Sequence, residues 1–288
     1  MNAMDDLKWV IFALIVIWII WFFAGGPEGP GARGGPFLKP PSPIGSGQTY
    51  GGEFLKRDTD LKKYLSVFKD KVFVADWGGG KETDPNREYI TLTASLSQNE
   101  AIGISGWKLK GLNNTEAVIG QAVKLPYLSQ INPETAIIMF GNERAMVTSG
   151  FSPVGVSFQV NKCSGYLGQF QEYYPPLEKD CPDPTSEFYS ATQYSNLDNG
   201  ECASYLGSIQ RCQINTFSLP GTLSSSCSYF INNKLNYNEC VRYHKNDPDF
   251  YKPEWRIFLG KNTELWKNQG DYIKLYDNQG NVVSYTVY

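Results

Sequence analysis

Apolar residues are distributed along the 288-residue chain in four distinct patterns. The first is a run without a charge, "WVIFALIVIWIIWFFAGG" from Trp9 to Gly26, which as a helix would span roughly 27 Å, close to a bilayer's hydrocarbon thickness. It predicts one transmembrane helix over 9–26 after a short stub, 1–8. A buried soluble helix is the alternative, but Trp9, Trp18 and Trp21 leave it no polar face. A cleaved signal peptide is another, although a basic n-region is missing and Phe22 sits badly upstream of Ala24 for an A-x-A-like site.

The second pattern is no periodicity at all. From Gly25 to Gly52 the chain holds ten glycines and six prolines, a composition that cannot bury enough apolar surface to fold. This predicts a tether over 27–52. The third is a short amphipathic stretch over 53–70, with Leu61, Tyr64, Leu65 and Phe68 at i, i+3, i+4 and i+7, and Asp58 or Thr59 as the N-cap. It predicts a helix whose polar side is rich in Lys56, Arg57, Lys62 and Lys63: either a solvated face or one that touches anionic lipid.

The fourth is strand-like alternation over 71–77, 88–95, 101–109, 122–128, 134–140 and 153–160, resuming at 254–259, 271–277 and 281–288. The final strand, with Val283, Tyr285 and Val287 alternating with Ser284 and Thr286, is expected to pair inside a sheet. Between about 163 and 250 the rhythm breaks. "NGECASYLGSIQRC" and "SSSCSYFINNKLNYNECVRYH" have helical spacing and predict a small helical insertion.

Composition changes the picture in two ways. Many aromatics, glycines and prolines suit short strands joined by tight turns, and a net charge of -3 without charge blocks gives no general polyanion-binding signature. All six cysteines, Cys163, Cys181, Cys202, Cys212, Cys227 and Cys240, fall in the insertion. Their even number and the lack of a C-x-x-C pair favour disulfides over zinc ligation, with buried free thiols as the alternative. Disulfides would put residues 27–288 in an oxidising, extracytoplasmic compartment and the N-terminus in the cytoplasm. Cys163 and Cys181 bracket a proline-containing loop and are expected to pair. In an antiparallel hairpin of the two helices, Cys212 would face Cys227 and Cys202 would face Cys240. The rival pairs, Cys202–Cys212 and Cys227–Cys240, would lie roughly 15 to 20 Å apart on straight helices, too far to bridge.

Certain motifs carry a family likeness. "KVFVADW", "REYITLTAS", "ISGWKLKG" and "LWKNQGDYIKLYDNQGNVVSYTVY" together resemble the lamin-tail domain. The matching positions are Glu88, Tyr89, Ile90 and Leu92 in one strand, Gly106 and Trp107 at a corner, and Gly270, Asp271, Ile273, Leu275, Asp277, Gly280, Val282 and Val283 in the last hairpin. The resemblance implies an all-β, immunoglobulin-like sandwich over 71–288, interrupted by the disulfide-pinned helical insertion, which ordinary lamin tails lack. It extends to bacterial members tethered by an N-terminal helix and a Gly/Pro-rich linker.

Candidate chemistry is sparse. Any histidine-based triad or metal scheme must run through the single histidine, His244. "DNQGN" at 277–281 resembles a calcium loop but lacks the closing acid and reads as a hairpin turn. "QFQEYYPP", Gln169 to Pro176, is either an exposed aromatic surface or packing between insertion and sandwich. The expectation is therefore a cell-membrane binding or scaffolding module, not an enzyme, without cofactor or metal. Its partners would be the bilayer through residues 9–26 and an envelope protein or polysaccharide. A surface nucleic-acid-binding protein and an envelope hydrolase are the alternatives.

Overall fold

The computed structural model describes residues 3–23, 64–112, 115–128, 130–190, 200–268 and 270–287. The tether at 27–52, residues 24–26 of the expected span and residues 53–63 of the expected basic helix lie outside them. The chain divides into two compact units, 1–58 and 59–288.

In the first unit, α1 (Ala3–Phe23) is a 21-residue helix whose side chains from Trp9 to Phe23 are all exposed. Among the described residues no helix is long and apolar enough to cross a membrane. The uncharged part, Trp9 to Phe23, rises about 22 Å.

The second unit is mostly β. Its strands are β1 (Val72–Asp76), β2 (Tyr89–Ala94), β3 (Ala101–Gly103), β4 (Lys108–Lys110), β5 (Glu116–Val118), β6 (Ile138–Phe140), β7 (Arg144–Thr148), β8 (Phe158–Asn161), β9 (Tyr251–Phe258), β10 (Tyr272–Tyr276) and β11 (Val282–Val287). They form a five-stranded sheet, β1-β2-β7-β9-β8, a four-stranded sheet, β11-β10-β4-β5, and the pair β3-β6. Within the larger sheet β7 and β9 run parallel, so the intervening chain crosses over and returns in the same direction.

One apolar cluster draws on both large sheets: Ile90 and Leu92 from β2, Val147 from β7 and Ile257 from β9 meet Leu109 from β4 and Ile273 and Leu275 from β10. The alternation in β10 predicts this, because side chains two apart share a face; in β11 the ladder shifts register, so Val283 is buried while Tyr285 and Val287 are exposed. Two layers sharing one core are compatible with a β-sandwich.

The strand pattern departs from expectation in three places. The stretch 101–109 splits into β3 and β4 at a corner, where Gly106 has φ 85° and a Cβ there would meet Asn278 Oδ1 at 2.6 Å. Only glycine fits such a site. At 122–128, only isolated bridges form, at Ala122 and Val123; Pro126, lacking an N–H, cannot extend the ladder. β5 and the central β7 were not expected from the pattern.

The helix expected over 53–70 is corrected where it is described. From Tyr64 onward the chain is a bridge followed by turns, with Leu65 parallel to Val282, the Val282 N–H donating to Tyr64 O and the Ser66 N–H to Val282 O. Sheet pairing takes the backbone groups a helix would need. The Ser66 hydroxyl accepts the Phe68 N–H, a local bond that competes with helix formation.

The insertion has four short helices among the described residues, α2 (Pro184–Ser190), α3 (Glu201–Leu206), α4 (Ser225–Lys234) and α5 (Tyr237–His244), after a 3-10 turn at Ser164–Gln169. All six cysteines pair, but none of the three expected bonds forms, nor either rival. The bonds are Cys163–Cys240, Cys181–Cys212 and Cys202–Cys227. The two-helix hairpin behind the expectation does not exist. The first helix stops at Leu206, leaving Cys212 in a turn at φ 61°. The second breaks at Leu235–Asn236, where the Asn236 side chain caps a new helix by accepting the Glu239 N–H, so Cys227 and Cys240 sit on different helices. Gly165 admits the second bridge: a Cβ there would lie 2.2 Å from Cys212 Sγ.

Candidate functional site

The insertion helices enclose a cavity of about 290 Å³ lined by Tyr166, Glu187, Phe230, Lys234, Tyr243, His244 and Asp247, among others. Its apolar wall, Phe230 and Leu235, belongs to the cluster packed around the Cys202–Cys227 bridge. Its other wall, Tyr166 and Cys240, belongs to the cluster around the other two bridges. The disulfides thus fix the two halves of the cavity.

Its polar centre is His244, at the C-terminal end of α5, where a helix favours positive charge. The ring is held on both sides: Nδ1 lies 2.8 Å from Asp247 Oδ2 and Nε2 lies 2.9 Å from Glu187 Oε2 on α2. Asp247 also accepts from Lys162 Nζ at 2.9 Å, and Asp249 accepts from the same lysine at 2.6 Å. Burial alone would lower the His244 pKa, but its hydrogen bonds to Glu187 and Asp247 outweigh that and raise it. Hydrogen bonds from Lys162 and His244 hold Asp247 below its usual range. Burial, with the nearby Glu187 charge, pushes Tyr166 well above an ordinary tyrosine. With both ring nitrogens engaged by carboxylates, the histidine acts as a charged clip between α2 and the turn after α5. Such an arrangement supports a pocket and suits binding more directly than proton transfer.

A second concavity, about 350 Å³, lies among Asp84, Asn86, Arg87, Phe151, Glu172 and Tyr174. The "QFQEYYPP" segment contributes to it and divides between the two readings. Tyr173 is buried, edge-on to Phe158 at 6.2 Å, whereas Phe170 is exposed. Arg87 lies 4.5 Å over the Tyr174 ring. Arg256 donates to the Pro175 and Pro176 carbonyls and to Glu254, fixing the segment against β9.

The motif residues of the sequence reading lie elsewhere, in strands of the β layers and in the turns that join them. Glu88 is fully buried and accepts the N–H groups of Leu265 at 2.7 Å and Trp266 at 3.0 Å. Burial raises its pKa although those bonds pull the other way. Asp271 accepts from Leu112, Lys267 and Tyr272 N–H, and Asp277 from Gln279 and Asn281 N–H within the last hairpin. Gly270 and Gly280 take φ 66° and 81° in the turns at either end of β10. Tyr89 covers the Gly78–Lys81 turn, and buried Trp107 packs on Phe68 at 5.5 Å. These residues shape the fold; they do not converge on either cavity.

Of the cavity residues, only His244 and Cys240 were singled out from sequence. The His244/Asp247 spacing of three was the one local signal; Glu187 and Lys162 arrive from distant elements. Among the described residues no group of three or more His, Cys, Asp and Glu is arranged to hold a metal ion. Compared with models of known families and with curated proteins, the chain matches none.

Proposed function

We propose that this chain is a membrane-anchored, extracytoplasmic binding or scaffolding module, with a lamin-tail-like, immunoglobulin-like sandwich presenting a disulfide-pinned cap. The pairing of all six cysteines carries this reading, because such bonds persist in oxidising compartments. The fully exposed apolar α1, whose uncharged run continues in sequence to Gly26, supports the anchor. The shared two-layer core, the buried positions of Glu88, Trp107, Asp271 and Asp277 and the positive φ of Gly106 at its corner support the family likeness. The cap cavity, walled by aromatic residues around one charged cluster, has the make-up of a small-ligand pocket.

The test is fractionation of cells expressing the full chain, followed by protease added outside. The expected result is a carbonate-resistant membrane protein cut from outside between Gly52 and Tyr64. A soluble chain beginning near Gly25, or a chain shielded from the protease, would overturn the reading.

A further inference from the structure

In the four-stranded sheet, Ile273, Leu275, Leu109 and Ala117 point into the core, so their neighbours along β10, β4 and β5 stand on the opposite face, which β11 joins through the register of Tyr285 with Lys274 on the near side of a register shift. That face has an unusual composition. The register places Lys274 of β10 directly opposite Lys110 of β4, and Tyr276 opposite Lys108. On the other flank Lys274 is opposite Tyr285 of β11. Like charges directly opposite one another weaken a sheet, and neither Lys274 nor Lys110 has an ion pair among the described residues to offset this. Lys108 has one, with Glu116 Oε1 at 3.2 Å.

Lys274 Nζ lies 4.8 Å from the Tyr272 ring centre and 5.2 Å from that of Tyr285. The two rings are 6.0 Å apart and Tyr285 is 54% exposed. Three lysines therefore crowd a patch about 5 Å by 7 Å, from the spacing of neighbouring strands and of alternate residues, beside open tyrosine rings.

We propose that this sheet face binds an anionic polysaccharide, a carboxylate or phosphate of the glycan lying between Lys274, Lys110 and Lys108 and sugar C–H faces packing on Tyr272 and Tyr285. The proposal rests on the reading of the chain as an extracytoplasmic binding module. Charge complementarity selects an anion, and the cations being few and confined to one patch selects a polymer whose charges are sparse. A nucleic acid presents a phosphate at every nucleotide and calls for a basic track, whereas Glu116 borders this patch and the chain's net charge is -3. The tyrosines offer ring faces whose negative quadrupole attracts polarised C–H groups.

The experiment is titration of the detergent-solubilised full chain with hyaluronan, in which a uronate alternates with a neutral sugar, neutral dextran and a single-stranded oligonucleotide at two salt concentrations. Expected are binding of hyaluronan that weakens with salt, none of dextran, and a loss of at least about tenfold, or ~1.4 kcal/mol, in Lys110→Gln/Lys274→Gln and separately in Tyr285→Ala, with melting temperatures within a few degrees of the parent. Undetectable hyaluronan binding, binding unchanged in these variants, equal retention of dextran, or tighter binding of the oligonucleotide would each overturn the proposal. Protease shielding in cells would count against the extracytoplasmic reading alone; binding by the purified chain judges the sheet face independently.

Discussion

The β layers and the helical insertion solve the same stability problem differently. The layers hold a core that reaches from Val72 to Val283 and includes the fully buried Trp107 and Trp266, with no cysteine in it. Local hairpins such as β10–β11 are tied together by ladders between distant strands, β4 with β10 and β7 with β9, which are also tertiary contacts. The insertion splits its apolar residues between two smaller clusters and builds on helices of 6 to 10 residues. Helices that short are marginal in water. All three disulfides lie there, two in one cluster and the third in the other. A sheet pair with a large shared core needs no staple; a fragmented helical cap does.

The largest expected effect comes from unstapling the cap. Replacing Cys163 and Cys240 together by serine opens a bond that closes 77 residues, and should cost about 4 to 5 kcal/mol in the chain-entropy picture. The loss should appear in helical far-UV signal, leaving the strand signal. Next, Trp107→Ala should cost roughly 3 to 5 kcal/mol by opening the sheet core, measured by denaturant melts, and by the same amount in oxidised and reduced protein.

Third is the pH response of the cap. His244 has a raised pKa, so its contribution is fully present below the unfolded value near 6.5 and fades as pH rises through the folded one. Cap stability, followed by exchange of α2 amides, should therefore fall across that window in the parent and stay level in His244→Asn. Smallest is Asn236→Ala, which removes the α5 cap and should cost about 1 kcal/mol, visible in the melting of the cap and absent from the β layers.

The same contrast explains what could be read from the sequence. β10 was legible because one face is buried and the other is not, as Ile273 and Leu275 alternate with Tyr272 and Lys274, whereas in β11 only Val283 of the apolar set is buried, and Tyr285 and Val287, past a register shift at the sheet edge, are exposed. β7 was not, because Ala145, Met146, Val147 and Thr148 are buried without alternation in the middle of a sheet. The insertion and its full use of cysteine were legible from composition. The pairing was not, since it depends on where two helices end: at Leu206 and at the Asn236 cap. The cavity was hidden for a similar reason. Glu187 lies far from His244 in the chain and Lys162 far from Asp247, and each pair meets only in the folded insertion. Leu65 and Phe68 fit a helical face, but Val282 recruits their segment as a sheet edge.

The measurement that bears most directly on the central claim, a disulfide-independent β body carrying a disulfide-dependent cap, is amide hydrogen exchange of the full chain before and after reduction and alkylation. Peptides covering Tyr89–Ala94, Arg144–Thr148 and Tyr272–Tyr276 should keep their protection, while those covering Glu201–Leu206, Ser225–Lys234 and Tyr237–His244 lose it. Loss of protection in both sets together, or its retention in the helices, would contradict the account.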